Sequence, residues 1–158
     1  MNKWLLYNLT VGFTVYWLSN LILWFPWSVN ATLGMSLMLT VSPVIWFFSS
    51  FLCIRTYPGK NSMVAAAYNS LIFLVLAVIM DYIFFGLIRK AMEDLYHPTT
   101  FYGYGFVACL PFIVVLAFKK RIEKQKRESY PSDFIKAGLI GFVCFSLLTM
   151  IILFDIQV

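Results

Sequence analysis

Asp81 is the residue in this chain whose placement most invites chemistry. It stands in Val78-Ile79-Met80-Asp81-Tyr82-Ile83 and is the only charged residue well inside a long apolar run. A carboxylate held among apolar side chains costs a few kcal/mol on membrane-insertion scales, so it has to be neutralised, paired or put to use. Candidate partners lie just beyond it: Arg89, His97, and the phenols of Tyr102 and Tyr104. Two kinds of chemistry suit such a set. A carboxyl in a membrane helix relays protons or binds a coupling ion. A carboxyl beside His97, the single histidine and a side chain that titrates near neutrality, suits acid–base work at an outward-facing polar pocket. The plainer reading is a hydrogen bond between helices that fixes their packing, with Tyr96, Tyr102 and Tyr104 forming an aromatic belt and His97 at the surface.

Other chemistries find little support. The three cysteines, Cys53, Cys109 and Cys144, are far apart and each lies in an apolar stretch, which is neither a Cys-x-x-Cys redox pair nor a zinc spacing. One histidine does not make a bis-histidine haem site or a His-rich metal site, so neither a metal nor a cofactor is expected. There is no Walker-type phosphate loop, and Gly103-x-Gly105 is too short to suggest a nucleotide. No lysine falls within an apolar run. Asn30-Ala31-Thr32 matches a glycosylation sequon, a triplet frequent by chance and poorly placed in a tight turn.

The elements that must position Asp81 follow from composition. The 158 residues are 61% hydrophobic and only 12% charged, against roughly half and a quarter in soluble domains. A soluble body this small could not hide that much apolar surface. Five apolar stretches are each about as long as a membrane crossing, which takes roughly 20 residues: about 4–25, 32–54, 64–88, 100–118 and 135–154. Pro26, Arg55, Arg89-Lys90, Lys119-Lys120 and Asp155 mark their ends. The first is about twice the length of a signal-peptide core and carries bulky aromatics to Trp27, so it reads as a retained span. The expected fold is all-α, a polytopic membrane bundle of about five transmembrane helices forming one domain over 1–158.

Charge gives the orientation. With the N-terminus inside, Lys3, Arg55, Lys60, Lys119, Lys120, Arg121, Lys124, Lys126, Arg127 and Lys136 are all inside, and only Arg89 and Lys90 are outside, which is ten cations against two. The C-terminus is then outside. Removing the short fourth stretch, which contains Pro111, would export the basic segment 119–134, so it stays a span. That segment accounts for most of the net charge of +5, and membrane topology explains it better than nucleic acid. The expected location is a multi-pass position in a cell membrane, a bacterial cytoplasmic membrane. The partners are the lipid bilayer and another membrane protein or a second copy of the chain, with no nucleic acid.

The connections are short. Residues 26–31 read as an uncharged turn. Arg89/Glu93 and Lys90/Asp94 are i,i+4 pairs that would carry span three as a helix to about Leu95. Pro98 suits the first turn of span four. Segment 119–128 favours helix and extends that span, Tyr130-Pro131 breaks it, and Ser132-Asp133 can cap span five. In lipid, small and polar residues belong on helix contacts. The candidate packing or path-lining residues are Asn8, Gly12 and Ser19 on span one and Ser42 and Ser49 on span two. Ala66, Ser70, Ala77 and Asp81 align on span three, Gly105 falls on span four, and Gly141 on span five. These features favour a small non-enzymatic accessory or scaffold subunit. The alternatives are a small proton- or ion-coupled transporter or channel using Asp81, and a membrane-embedded enzyme with an outward site near Asp81 and His97.

Overall fold

The computed structural model describes residues 2–154, of which Asp155, expected to close span five, is not one. Among the described residues the chain is all-α, with five helices long and apolar enough to cross a bilayer. They are α1 (Asn2–Val29), α2 (Ala31–Arg55), α3 (Ser62–Asp81), α4 (Pro98–Lys124) and α5 (Pro131–Leu153). A π-helical segment (Tyr82–Ile88) and a short 3-10 turn (Met92–Tyr96) connect α3 to α4.

Successive helices alternate in direction, so α1, α3 and α5 run parallel. The starts of these three and the ends of α2 and α4 therefore share one end of the bundle. That end gathers Lys3, Arg55, Lys60 and the cations of 119–136, and is the basic end below. Helix α1 is central, packing on α2, α3 and α5, while α4 lies against α3 and α2. Two clusters of buried side chains fill the interior. Toward the basic end Tyr7, Val11, Trp46, Phe51, Ile54, Phe73 and Val114 meet. Toward the other end Tyr16, Trp17, Phe84, Cys144 and Leu148 meet. The outward faces stay apolar, as Leu39, Leu71, Leu116 and Leu139 show. A bilayer acts as solvent for such faces and water does not.

Three connections differ from expectation. Helix α1 does not stop at Pro26: it runs to Val29, and Asn30 alone separates it from α2. The missing proline N–H costs one hydrogen bond a turn from the helix end. Continuing satisfies the others, including Asn30 N–H to the Pro26 carbonyl at 2.8 Å. Asn30 then caps α2 by accepting from Leu33 N–H at 3.1 Å. Span three does not continue to Leu95. The helix loosens after Asp81 and closes with Arg89 N–H on the Phe84 carbonyl, five residues back, at 2.8 Å. Lys90, with φ of 53°, then turns the chain away. The expected i,i+4 pairs are worth a few tenths of a kcal/mol each. Arg89 instead bonds Asp94 at 3.0 Å and lies over the rings of Trp24, Phe84 and Phe85 at 5.3–5.8 Å, a larger gain for one guanidinium.

The start of α5 is the third difference. Tyr130 holds the cap position and Pro131 the first turn, and the Asp133 carboxylate accepts from Tyr130 N–H at 3.1 Å. Asp133 thus contributes from inside the first turn, as a capping-box acid does, while Ser132 is not the cap. Helix α4 continues past the apolar stretch as expected, with a kink at Phe118, and ends at Lys124, four residues short of the expected Glu128.

Candidate functional site

The polar groups of the spans collect along the seam between α1 and α3. Parallel helices in contact present residues four apart to each other, one turn per step. On α1 the repeat is Asn8, Gly12, Tyr16 and Asn20. On α3 it is Asn69, Phe73, Ala77 and Asp81.

Toward the basic end, Asn69 Nδ2 donates to Asn8 Oδ1 at 2.8 Å, and Asn8 Nδ2 donates to the Trp4 carbonyl at 3.0 Å. Both asparagines are 0% exposed. The Asn69 Oδ1 atom is buried with no hydrogen-bond partner among the described residues. One turn on, Gly12 lets the helices close: a Cβ there would lie 2.5 Å from Leu76 Cδ1 and 3.2 Å from Phe73.

At the far end of the seam, Tyr16 Oη donates to Asp81 Oδ1 at 2.5 Å. Tyr104, in the second turn of α4, brings a second phenol to the same carboxyl as a hydrogen-bonding neighbour. Asn20 follows one turn after Tyr16 and donates to the Tyr16 carbonyl at 3.1 Å. Asp81 therefore ties three helices together, where α3 passes into its π-helical continuation. The Tyr16 phenol donates to the carboxyl and the Tyr104 phenol stands beside it, so two hydroxyls from other helices serve it.

The expected pocket of Asp81 with Arg89, His97, Tyr102 and Tyr104 is split by the structure. Tyr104 joins the carboxyl. Arg89 is committed to Asp94 and the three rings. His97 is exposed and caps α4, its Nδ1 lying 2.8 Å from Thr99 Oγ1. It precedes Tyr104 by seven residues, about 10 Å along α4. Tyr102 is 76% exposed and faces outward. Helical geometry accounts for the division, since Tyr102 and Tyr104, two apart, lie on different faces.

The small residues also divide. Ser70 Oγ donates to the Ala108 carbonyl at 2.7 Å, joining α3 to α4. Gly141 lies so close to α1 that a Cβ would meet Thr14 Oγ1 at 2.7 Å and Thr14 Cα at 3.0 Å. Beside it, Thr14 Oγ1 donates across to the Ala137 carbonyl at 2.7 Å. Ser42 is half-buried on α2, and Ser49 lines a cleft described below. Gly105, expected at a contact, faces outward instead, with no neighbouring atom within 4 Å of where a Cβ would stand. Its neighbours Ala108 and Val107 take the contact side of α4.

Tyr16, Asn20 and Asn69 lie outside the set of residues that spacing alone singles out. Asn69 lies three i+4 steps before Asp81, and Tyr16 two such steps after Asn8, so the stripe that contains them is visible in the sequence once both helices are set in parallel. Among the described residues, no three His, Cys, Asp or Glu side chains converge in a way that would hold a metal ion. The chain matches no protein-family model, and no curated protein or solved structure is significantly similar to it.

Proposed function

We propose that this chain is a non-enzymatic membrane subunit, a helix-bundle scaffold that assembles with another membrane protein or with a second copy of itself. The supporting observation is where the polar side chains of the spans are spent. Asp81 goes to Tyr16, with Tyr104 beside it, Asn69 to Asn8, Ser70 to the Ala108 carbonyl, Thr14 to the Ala137 carbonyl, and Trp4 to the Cys53 carbonyl at 2.8 Å. Each contact joins two helices, which is the use lipid-embedded bundles make of such groups. The first half of α2 supplies an assembly face: Met35, Met38 and Leu39 are exposed there, as are Ser36 and Thr40, which bond back to their own helix. The proposed setting is a bacterial cytoplasmic membrane with the N-terminus inside and the C-terminus outside, supported by the collection of cations at one end.

The test is the mass of the protein–detergent particle after mild extraction, together with cross-linking of a Met38→Cys variant. An assembly joined through α2 is expected. A strictly monomeric chain that cross-links to nothing would overturn the reading.

One observation favours a second reading, proton- or ion-coupled transport through Asp81. The carboxyl is only partly buried and sits where α-helical bonding gives way to π-helical bonding, an irregularity frequent at functional sites. On that reading Asp81→Asn abolishes a coupled flux in proteoliposomes. An unchanged flux, or none in the wild type, removes it.

A further inference from the structure

At the basic end, α2 and α5 both pack on α1 and diverge across its surface. The gap between them is a cleft of about 270 Å³. Its floor is the α1 face Tyr7, Val11, Thr14, Val15 and Leu18, with Leu52 on one wall and Ile140 on the other. From Tyr7 to Leu18 it extends eleven residues, about 16 Å. That is close to half of the roughly 30 Å hydrocarbon thickness, the depth of one leaflet.

The mouth of the cleft is charged. Arg127, Asp133 and Lys136 line it, and Arg55 lies beside Arg127, whose backbone N–H reaches the Arg55 carbonyl at 3.4 Å. Arg127 pairs with Asp133 at 3.1 Å. Three cations thus share one carboxylate. The Nε atoms of both Arg55 and Arg127 are buried without a hydrogen-bond partner among the described residues. Buried guanidinium donors left unpaired are costly, and an acceptor with several oxygens would satisfy them.

We propose that this cleft is a binding site for one anionic phospholipid, with the phosphate at Arg55, Arg127 and Lys136 and one acyl chain running along α1 toward Leu18. The wall materials and the length match the two parts of such a molecule. The apolar floor takes the chain, the surplus cations take the phosphate, and the boundary between them lies at Tyr7, a ring suited to the headgroup level. Basic pockets between membrane helices recognise acidic headgroups by the same chemistry. The site stands independently of the subunit reading.

The test uses delipidated protein in mild detergent, exposed to phosphatidylglycerol, to phosphatidylcholine with the same chains, or to glycerol phosphate, with bound molecules counted by native mass spectrometry. Phosphatidylglycerol is expected to bind about tenfold tighter than phosphatidylcholine. Lys136→Gln, which changes an exposed side chain, should lower that preference several-fold, and Arg127→Gln with Lys136→Gln should abolish it. Ile140→Trp, which fills the cleft from a half-exposed wall, should weaken both lipids. Equal binding of the two lipids overturns the proposal, as does a preference indifferent to Lys136→Gln. Competition by glycerol phosphate at the same concentration as the lipid would show a free-phosphate site and would also overturn it. If the double variant does not fold, the wild-type comparison and Lys136→Gln still decide.

Discussion

The two ends of the α1–α3 seam solve the same problem in different ways. At one end two neutral amides, Asn8 and Asn69, meet where both side chains are sealed from solvent and lipid and both helices are regular. At the other end an acid, Asp81, meets the phenols of Tyr16 and Tyr104, is only partly buried, and stands where α3 loosens into a π-helical segment. The amides carry no charge, so burying them costs less: one bond between them and one from Asn8 to the Trp4 carbonyl leave only the Asn69 Oδ1 without a partner among the described residues. A carboxyl asks for more donors, and here they come from two other helices, which places it at a junction of three. The amide end is a lock between two helices, and the acid end is a knot that gathers α1, α3 and α4.

The comparison breaks most readily in the middle. Gly12 lies between the two contacts, so Gly12→Leu forces α1 and α3 apart and strains both at once. A loss of about 3 kcal/mol is expected, near the upper part of the range for overpacked cores, read as a lowered midpoint of thermal or denaturant unfolding in detergent. Next in size is Asn69→Ala. It leaves Asn8 buried with an unmet acceptor, and a loss of about 1–2 kcal/mol is expected by the same measurement. Combining it with Asn8→Ala should cost less than the sum of the two, because the orphaned partner goes too.

Asp81→Asn should cost less, about 1 kcal/mol or below, since an amide still accepts from Tyr16 and hydrogen bonds between membrane helices average well under that value. A large loss would mean that the charge itself holds the knot. The smallest effect belongs to a control outside the seam. Gly105→Ala adds a methyl into open space and removes a flexible residue from a helix, so stability should be unchanged or raised by up to about 1 kcal/mol. A destabilised Gly105→Ala would show that the outer face of α4 is covered by something in the assembled protein.

Much of the architecture is legible in the sequence. Five apolar stretches of spanning length, separated by prolines, cations and short polar turns, dictate five helices, because backbone in lipid has no other partner than its own helix. The i,i+4 stripe also places Gly12 and Asp81 on inner faces. The connections are harder to read, since their outcome depends on contacts between residues distant in sequence. Arg89 passes over Glu93 at i+4 for Asp94 at i+5, because the chain turns at Lys90 and Trp24, on another helix, offers the guanidinium a ring. Gly105 misleads because a glycine records only that small size is permitted and gives no sign of which neighbour, if any, needs it. Asn69 is hidden for the opposite reason: its importance lies wholly in Asn8, sixty-one residues away, and becomes visible only once α1 and α3 are set side by side. The cleft beside α1 likewise draws on three helices and the segment between α4 and α5, so no single stretch announces it.

The scaffold account rests on Asp81 being spent on helix contacts. A double-mutant cycle on reversible unfolding, with Tyr16→Phe, Asp81→Asn and the pair, measures that directly. The account predicts a coupling of roughly 0.5–1.5 kcal/mol between the two changes, within the range found for hydrogen bonds between membrane helices. Additive effects, with no coupling, would contradict it.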